Sequence, residues 1–272
     1  MKKILITIFF LLNSIIFSFG QKPKDILNEG KLLYRLEKAS WHGTDHFLEH
    51  FSDKKDSIGG YLSYVNENNK VINIFFKKDN PFHIIVRYEF ESLPTSNPIN
   101  IDTLKHSPSQ QEIDLITIRQ DAIKRIYENQ DNFFSFYKNT SLNLIPLIHK
   151  NERKVFVLTG PQNSGVVIIG NDYLLTYNKK NKFKKKEKIH NSLIEFPYKS
   201  DVTFHSHVLS NYINSTDICT LLLYKDFVEW KQHYVVSKKY VSIFDLEKED
   251  LIILTRKDWE KMNDKINKKD KE

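Results

Sequence analysis

The chain predicts an α+β fold: N-terminal helices with an antiparallel meander, then a mixed β core with flanking helices. Three observations carry this. Two segments repeat apolar residues at helical spacing, one through Ile26, Leu27, Leu32, Leu33 and Leu36, the other through Ile113, Ile116, Ala122, Ile123, Ile126 and Tyr127. Two longer stretches, 60–90 and 142–178, are instead rich in β-branched and aromatic residues with partial apolar/polar alternation. Turn-forming clusters such as Asn66-Glu67-Asn68-Asn69, Lys78-Asp79-Asn80-Pro81 and Gly160-Pro161-Gln162-Asn163 punctuate them.

The first twenty residues are set apart. Lys2-Lys3 is a basic lead, Ile4 to Phe17 is almost wholly apolar, and Ser18 and Gly20 offer the small residues of a signal-peptide cleavage site near Gly20/Gln21. This predicts an exported protein, periplasmic or extracellular. The apolar run is short of the roughly 20 residues of a membrane span and is interrupted by Asn13. The remaining chain contains only Cys219, which excludes a disulfide framework. Without Lys2 and Lys3, 39 basic residues face 34 acidic ones, a mild surplus that calls for no nucleic acid. The 13% aromatic content argues against disorder.

In order, 24–39 reads as an amphipathic helix tolerating Gly30, and Trp41-His42-Gly43 interrupts it. Thr44 or Asp45 then caps a short second helix carrying Phe47, Leu48 and Phe51. Strands over 60–65, 71–77 and 82–90 form the meander. The connection 92–108, with three prolines and no periodicity, divides an N-terminal region 21–107 from a C-terminal region 108–272. Ser109 and Glu112 make a capping box for a helix through about Asn129 that packs on one of the two sheets. Strands over 142–148, 154–159, 164–169 and 173–178 follow. Lys179–Lys188 holds seven lysines in ten positions and reads as a solvated hairpin tip, or as a surface for an anionic partner. A strand over 202–207, a helix from Ser215 to about Val228, strands over 230–237, 240–246 and 251–255, and a helix over 257–266 complete the chain.

The sharpest chemistry lies in Thr203-Phe204-His205-Ser206-His207, followed after a seven-residue spacer by Ser215-Thr216-Asp217. Histidines at i and i+2 of a strand share a face, so their imidazoles converge on one ion. A carboxylate from the next helix start adds a third ligand, and two nitrogens, one oxygen and an open fourth place suit hydrolytic zinc. The bland alternative has the histidines bonding to neighbouring strands and Asp217 capping a helix. His233, on the next strand, reads equally as a third imidazole for the same pocket or as an ordinary edge histidine, and Cys219 is read as a small buried apolar residue.

This string resembles the signature of JAMM/MPN metalloproteases: His-x-His, a spacer, then Ser-x-x-Asp at a helix start, with an upstream glutamate. The resemblance implies zinc held by His205, His207 and Asp217, Ser215 steadying the activated water, and Glu152, with Glu195 as fallback, taking the proton. It implies peptidase- or amidase-type hydrolysis. The chain departs from the pattern where Val208 stands for the usual proline, where one residue rather than two separates Ser215 from Asp217, and where the strand carrying Glu152 lacks a glycine-rich lead-in.

His46-Phe47-Leu48-Glu49-His50 resembles the inverted zinc helix of pitrilysin-type peptidases, with Glu128 as the distant ligand; the alternative is a surface helix. The whole chain resembles short exported proteins of Bacteroidetes-type bacteria in its leader, its Lys/Asn-rich style, Trp41-His42-Gly43-Thr44-Asp45 and Gly170-Asn171-Asp172-Tyr173. Two function classes follow: a zinc-dependent hydrolase acting on a peptide, or a non-catalytic protein that binds an envelope component.

Overall fold

The computed structural model describes residues 23–149, 152–200 and 202–269, with side chains to residue 264. The leader and its cleavage site lie outside the described residues. The chain has the expected α+β architecture, in which helices flank antiparallel and mixed sheets. No described helix is long and apolar enough to cross a membrane.

Helix α1 runs unbroken over Pro23–His50, so the interruption expected at Trp41-His42-Gly43 does not occur. Gly43 serves close approach instead of ending the helix: a Cβ there would lie 2.0 Å from Asn73 Oδ1. Asn73 is itself buried, donating to Leu62 O and Ser63 Oγ. The bare backbone at Gly43 therefore lets α1 lie flat on a sheet, and the burial of Leu33, Leu36, Ala39 and Phe47 outweighs the glycine's helix penalty of about 1 kcal/mol.

That sheet is the antiparallel meander β1 (Ile58–Val65), β2 (Val71–Lys77), β3 (Ile84–Phe90) and β4 (Asn100–Asp102). β4 falls within the connection that showed no periodicity; three residues are too few to show one. β2 is buried along nearly its whole length because both its faces are covered. Val71 and Phe75 meet α1, where Phe47 stacks on Phe75 at 4.5 Å. Ile72, Ile74 and Phe76 meet Leu115 and Ile116 of α2 (Gln110–Glu128).

The capping box of α2 forms as read: the Ser109 side chain accepts from Glu112 N, and Glu112 Oε2 accepts from Ser109 N at 2.7 Å. Arg87 holds the same carboxylate from β3 at 2.8 and 3.0 Å. Sequence reasoning assigned α2 to one sheet, and it serves two. Its Ile118, Ala122 and Ile126 face Val155 and Val157 in the second sheet, ordered β5 (Thr140–His149), β6 (Glu152–Pro161), β8 (Tyr173–Tyr177), β9 (Phe183–Lys188). One hydrophobic cluster joins residues from both sides of the 107/108 connection, including Phe47, Phe75, Phe156 and Leu222.

The lysine run is part turn and part strand. Asn178 Oδ1 accepts from the backbone of Lys180 and Lys182, and Asn181 takes a left-handed φ of 59°. The chain then pairs with β8 as the edge strand β9. Lysine on an edge opposes pairing with another chain. Lys186 is tied down, its Nζ 4.6 Å from the Phe133 ring centre and 2.6 Å from Asp131.

Two further sheets frame the site. β7 (Val166–Gly170) pairs with β10 (Leu193–Pro197), a strand the sequence reading did not mark. The mixed sheet is ordered β11 (Thr203–Ser206), β12 (Gln232–Val236), β13 (Tyr240–Asp245), β14 (Asp250–Thr255), with β11 parallel to β12 and the rest antiparallel. Helix α3 (Ser215–Tyr224) crosses between β11 and β12, and α4 (Arg256–Lys269) closes the chain.

Candidate metal centre

Parallel strands cannot be joined by a hairpin, so the β11–β12 pair requires a crossover. α3 supplies it, and every residue from Ser215 to Leu222 is buried. Gly30 of α1 fixes how closely α3 approaches: a Cβ there would sit 2.6 Å from Ile218 Cβ. The carboxyl end of β11 and the first turn of α3 are thereby brought together. This is the position in open α/β arrangements where ligand groups gather.

Along β11 the side chains alternate. Thr203, His205 and His207 point inward, while Phe204 and Val208 face outward and are exposed. His207 lies one residue past the strand but keeps its pairing, since its N–H donates to Val236 O at 2.9 Å. Asn214 caps α3, which puts Asp217 in the third helical position, where Asp217 Oδ2 accepts from Asn214 N at 2.8 Å. The carboxylate folds back over the helix start, toward the histidines, where the helix dipole favours its charge. Counting the helix from Asn214 restores two residues between cap and aspartate, so the one-residue Ser215–Asp217 spacing does not turn the carboxylate away.

The predicted trio meets. His205 Nε2 and His207 Nε2 are 2.8 Å apart, and Asp217 Oδ2 lies 3.3 Å from His207 Nε2 and 3.9 Å from His205 Nε2. A fourth group, His190, was not anticipated. Its Nε2 lies 3.0 Å from His207 Nε2 and 3.0 Å from Asp217 Oδ1. One ligand atom from each of the four falls within 4.8 Å of the others, and all four residues are buried, Asp217 completely. This His3Asp group could hold a metal ion.

The outer nitrogens give the cluster its direction. His207 Nδ1 sits 2.7 Å from Tyr212 O, a pure acceptor, so Nδ1 carries the proton and the neutral ring's lone pair is on Nε2. Ser210 Oγ lies 2.8 Å from the same nitrogen and donates to Tyr212 O. His205 Nδ1 faces His233 Nε2 at 2.7 Å, and His233 Nδ1 faces Thr203 Oγ1 at 2.9 Å. His233 thus reaches the pocket, but behind His205 and not as a ligand. A cation on His205 Nε2 selects the direction in which His205 donates to His233 and His233 to Thr203. His190 Nδ1 lies 3.3 Å from Asp172 Oδ2. Carboxylate, imidazole and carbonyl partners on the far nitrogens are what orient metal-ligating histidines.

Burial lowers the His205 pKa to about 4 against the pull of Asp217, and burial with the neighbouring His205 lowers His233 to about 3. Both rings are neutral at pH 7 and free to ligate or to accept. Burial also opposes charge on His190, but Asp217 and Asp172 outweigh it and push its pKa up to about 10. Burial would raise Asp217, yet His190 and His207 hold it well below the usual carboxylate range. Asp172, fully enclosed, is pushed up by burial despite His190.

The other predicted residues lie elsewhere. Glu152 starts β6, is 64% exposed on its side chain and pairs with Lys154 at 2.7 Å. Ser215 is buried, but its hydroxyl donates to Glu29 Oε2 at 2.9 Å, on α1, so it is engaged away from the four ligands. The structure brings neither of these two into the His3Asp group. Glu195 is an exposed residue of β10. Cys219 is buried in the apolar core and its thiol pKa is pushed far up by burial. His46 and His50 have ring centres 4.2 Å apart with their planes tilted by 52°, with Glu49 exposed, and Glu128 ends α2 paired with Lys124. None of them joins the metal-type group.

His190 and Asp172 were missed because each sits in a connection, His190 between β9 and β10 and Asp172 between β7 and β8. The available signal was Gly170-Asn171-Asp172-Tyr173. Gly170 and Asn171 take left-handed φ values of 103° and 55°, which turn Asp172 inward, where Thr159 N donates to its Oδ1 at 3.1 Å. Comparison with protein-family models, curated proteins and solved structures finds no match for the chain.

Proposed function

We propose that this is an exported zinc-binding protein in which His190, His205, His207 and Asp217 hold one Zn2+ in a four-ligand shell. One observation carries the reading. A tetrahedral shell with bonds of about 2.0–2.1 Å has ligand–ligand edges of about 3.3 Å. One ligand atom from each of the four lies within 4.8 Å of the others, and the contacts among their inner atoms run from 2.8 to 3.9 Å around that value, Asp217 meeting His190 through Oδ1 and His205 and His207 through Oδ2. Three imidazoles and one carboxylate are a donor set suited to zinc. Such an ion ties the β9–β10 connection, β11 and α3 together, so its binding energy adds to folding energy. The apolar, basic-led stretch Met1–Gly20 supports export.

The test is metal content by mass spectrometry on residues 21–272 purified without chelator, beside the His205→Ala/His207→Ala double variant. One zinc per chain, absent from the variant, is the expected result. A protein that holds no metal, and whose stability ignores added zinc, overturns the reading.

A binding role at the cell envelope stands as the second reading, favoured by Lys184, Lys185 and Lys188 lying exposed on the outer edge of β9. Neutralising Lys184 to Lys186 would then weaken retention on anionic vesicles, and salt would do the same. Retention indifferent to both would end that reading. Peptidase or amidase activity remains tied to the metal and requires a coordination place that four protein ligands fill.

A further inference from the structure

We infer that His190 is the displaceable ligand of this centre, and that the place it holds is where the metal takes a small exogenous ligand, water or a compact anion, from the adjoining cleft. The inference rests on the zinc reading and deepens it.

The four ligands are not held alike. Asp217 belongs to the first turn of α3 and His205 to β11, and His207 is fixed by its backbone bond to Val236. His190 alone sits outside regular structure and its extensions, in the connection between β9 and β10. The outer nitrogens of His205 and His207 have partners at 2.7 Å. For His190 the separation from Asp172 is 3.3 Å, and Nδ1 makes no aligned hydrogen bond. Its inner contact is similar: Asp217 Oδ1, 3.0 Å from Nε2, also lacks an aligned bond. The His190 ring thus has a hydrogen-bond contact only on its inner side, to His207 Nε2 at 3.0 Å, whereas directed hydrogen bonds hold the outer nitrogens of the other two.

His190, His205 and His207 all line one cleft beside the cluster, and His190 is the most exposed of the four ligands. The cleft is about 40 Å³, with Asn191, Ser192 and Ser206 as polar lining and Ile169, Ile194 and Leu209 among the apolar walls. A water needs roughly 10–15 Å³ of such space, so the cleft admits a few small molecules and excludes a folded peptide. Swinging His190 aside leaves His205, His207 and Asp217, two nitrogens and one oxygen with an open place toward this cleft, the arrangement of catalytic zinc sites. The released ring stays beside Asp172, which keeps it close enough to return.

The experiment uses the chain from residue 21 loaded with Co2+, whose visible spectrum reports coordination, titrated with azide. His190→Ala is expected to keep one cobalt per chain and to show a spectral shift at lower azide than wild type, while His205→Ala loses the metal. The inference is overturned if His190→Ala loses cobalt as fully as His205→Ala, or binds it with a spectrum indifferent to azide. Should His190→Ala fail to fold, wild type decides: a shift at high azide with stoichiometry unchanged supports the inference, and a constant spectrum overturns it. Failure of wild type itself to bind cobalt or zinc is the separate failure of the zinc reading.

Discussion

Two histidine groups in this chain have the spacing of metal ligands, and the structure treats them in opposite ways. His46 and His50 lie one turn apart on α1 with their rings 4.2 Å apart, yet His46 packs edge-on against Tyr88 and its Nδ1 has no partner. His50 is half exposed, 3.7 Å from an exposed Glu49. His205 and His207 are buried, their outer nitrogens are engaged, and a buried carboxylate faces their inner nitrogens. Spacing brings rings together in both places. What separates them is a carboxylate from another element and acceptors on the far side of each ring, which fix where the lone pairs point.

The largest effect expected from breaking this contrast is at Asp217. Asp217→Asn removes the buried negative charge from among three imidazoles, and the loss of one partner from a buried charged group costs about 3–5 kcal/mol. Urea unfolding should show that loss together with loss of zinc. An Asn variant as stable as wild type and fully loaded would leave the carboxylate a mere helix cap.

Gly30→Ala acts at a distance. The new methyl meets Ile218 and Ser215 O, pressing α3 off α1 at a cost of about 1–3 kcal/mol. Zinc affinity should fall with stability because α3 carries Asp217. Unchanged affinity would show that the centre does not depend on that helix packing.

His233→Ala should leave all four ligands in place and weaken zinc by about 10- to 100-fold, read by competition with a chromogenic chelator, because His205 loses its orienting partner. A change in stability without a change in affinity would make His233 only a core residue.

The pH dependence sharpens the contrast further. His190 in the metal-free protein has its pKa raised from 6.5 to about 10, so the stabilisation it gives is complete below pH 6.5 and lost as pH rises through about 10. Zinc requires the neutral ring and supplies the positive charge instead. Chelator-treated protein should therefore lose thermal stability over that window while zinc-loaded protein does not, and parallel curves would break the linkage. The smallest effect is at the other pair: His50→Ala should leave zinc content intact and stability within about 0.5 kcal/mol, as for an exposed residue.

Much of the scaffold was legible. In the two large antiparallel sheets β1, β2, β3, β5, β6 and β8 were marked by period-two patterns while β4 and the lysine-rich β9 were not, and Ser109 with Glu112 placed the start of α2 to the residue. Of the centre, His205, His207 and Asp217 were legible because a strand and a helix start impose short, fixed geometries. Gly43 misled: read as a break, it is a point of contact with Asn73, and nothing local distinguishes a glycine that ends a helix from one that admits a neighbour. β10 was missed, and with it the reason the preceding connection is held where it is.

Local patterns, then, determined by themselves that this is an α+β chain with an inward-facing His-x-His strand and an aspartate at the next helix start. Periodicity and capping are interactions between near neighbours, and a sequence displays those directly. Tertiary structure alone decided that α1 is continuous, that α2 serves two sheets, that His190 and Asp172 join the centre, and that His233 stands behind His205 rather than among the ligands. Those residues come from separate connections and strands, and only the burial of α3 between α1 and the β sheets forces them into one volume small enough for a single ion.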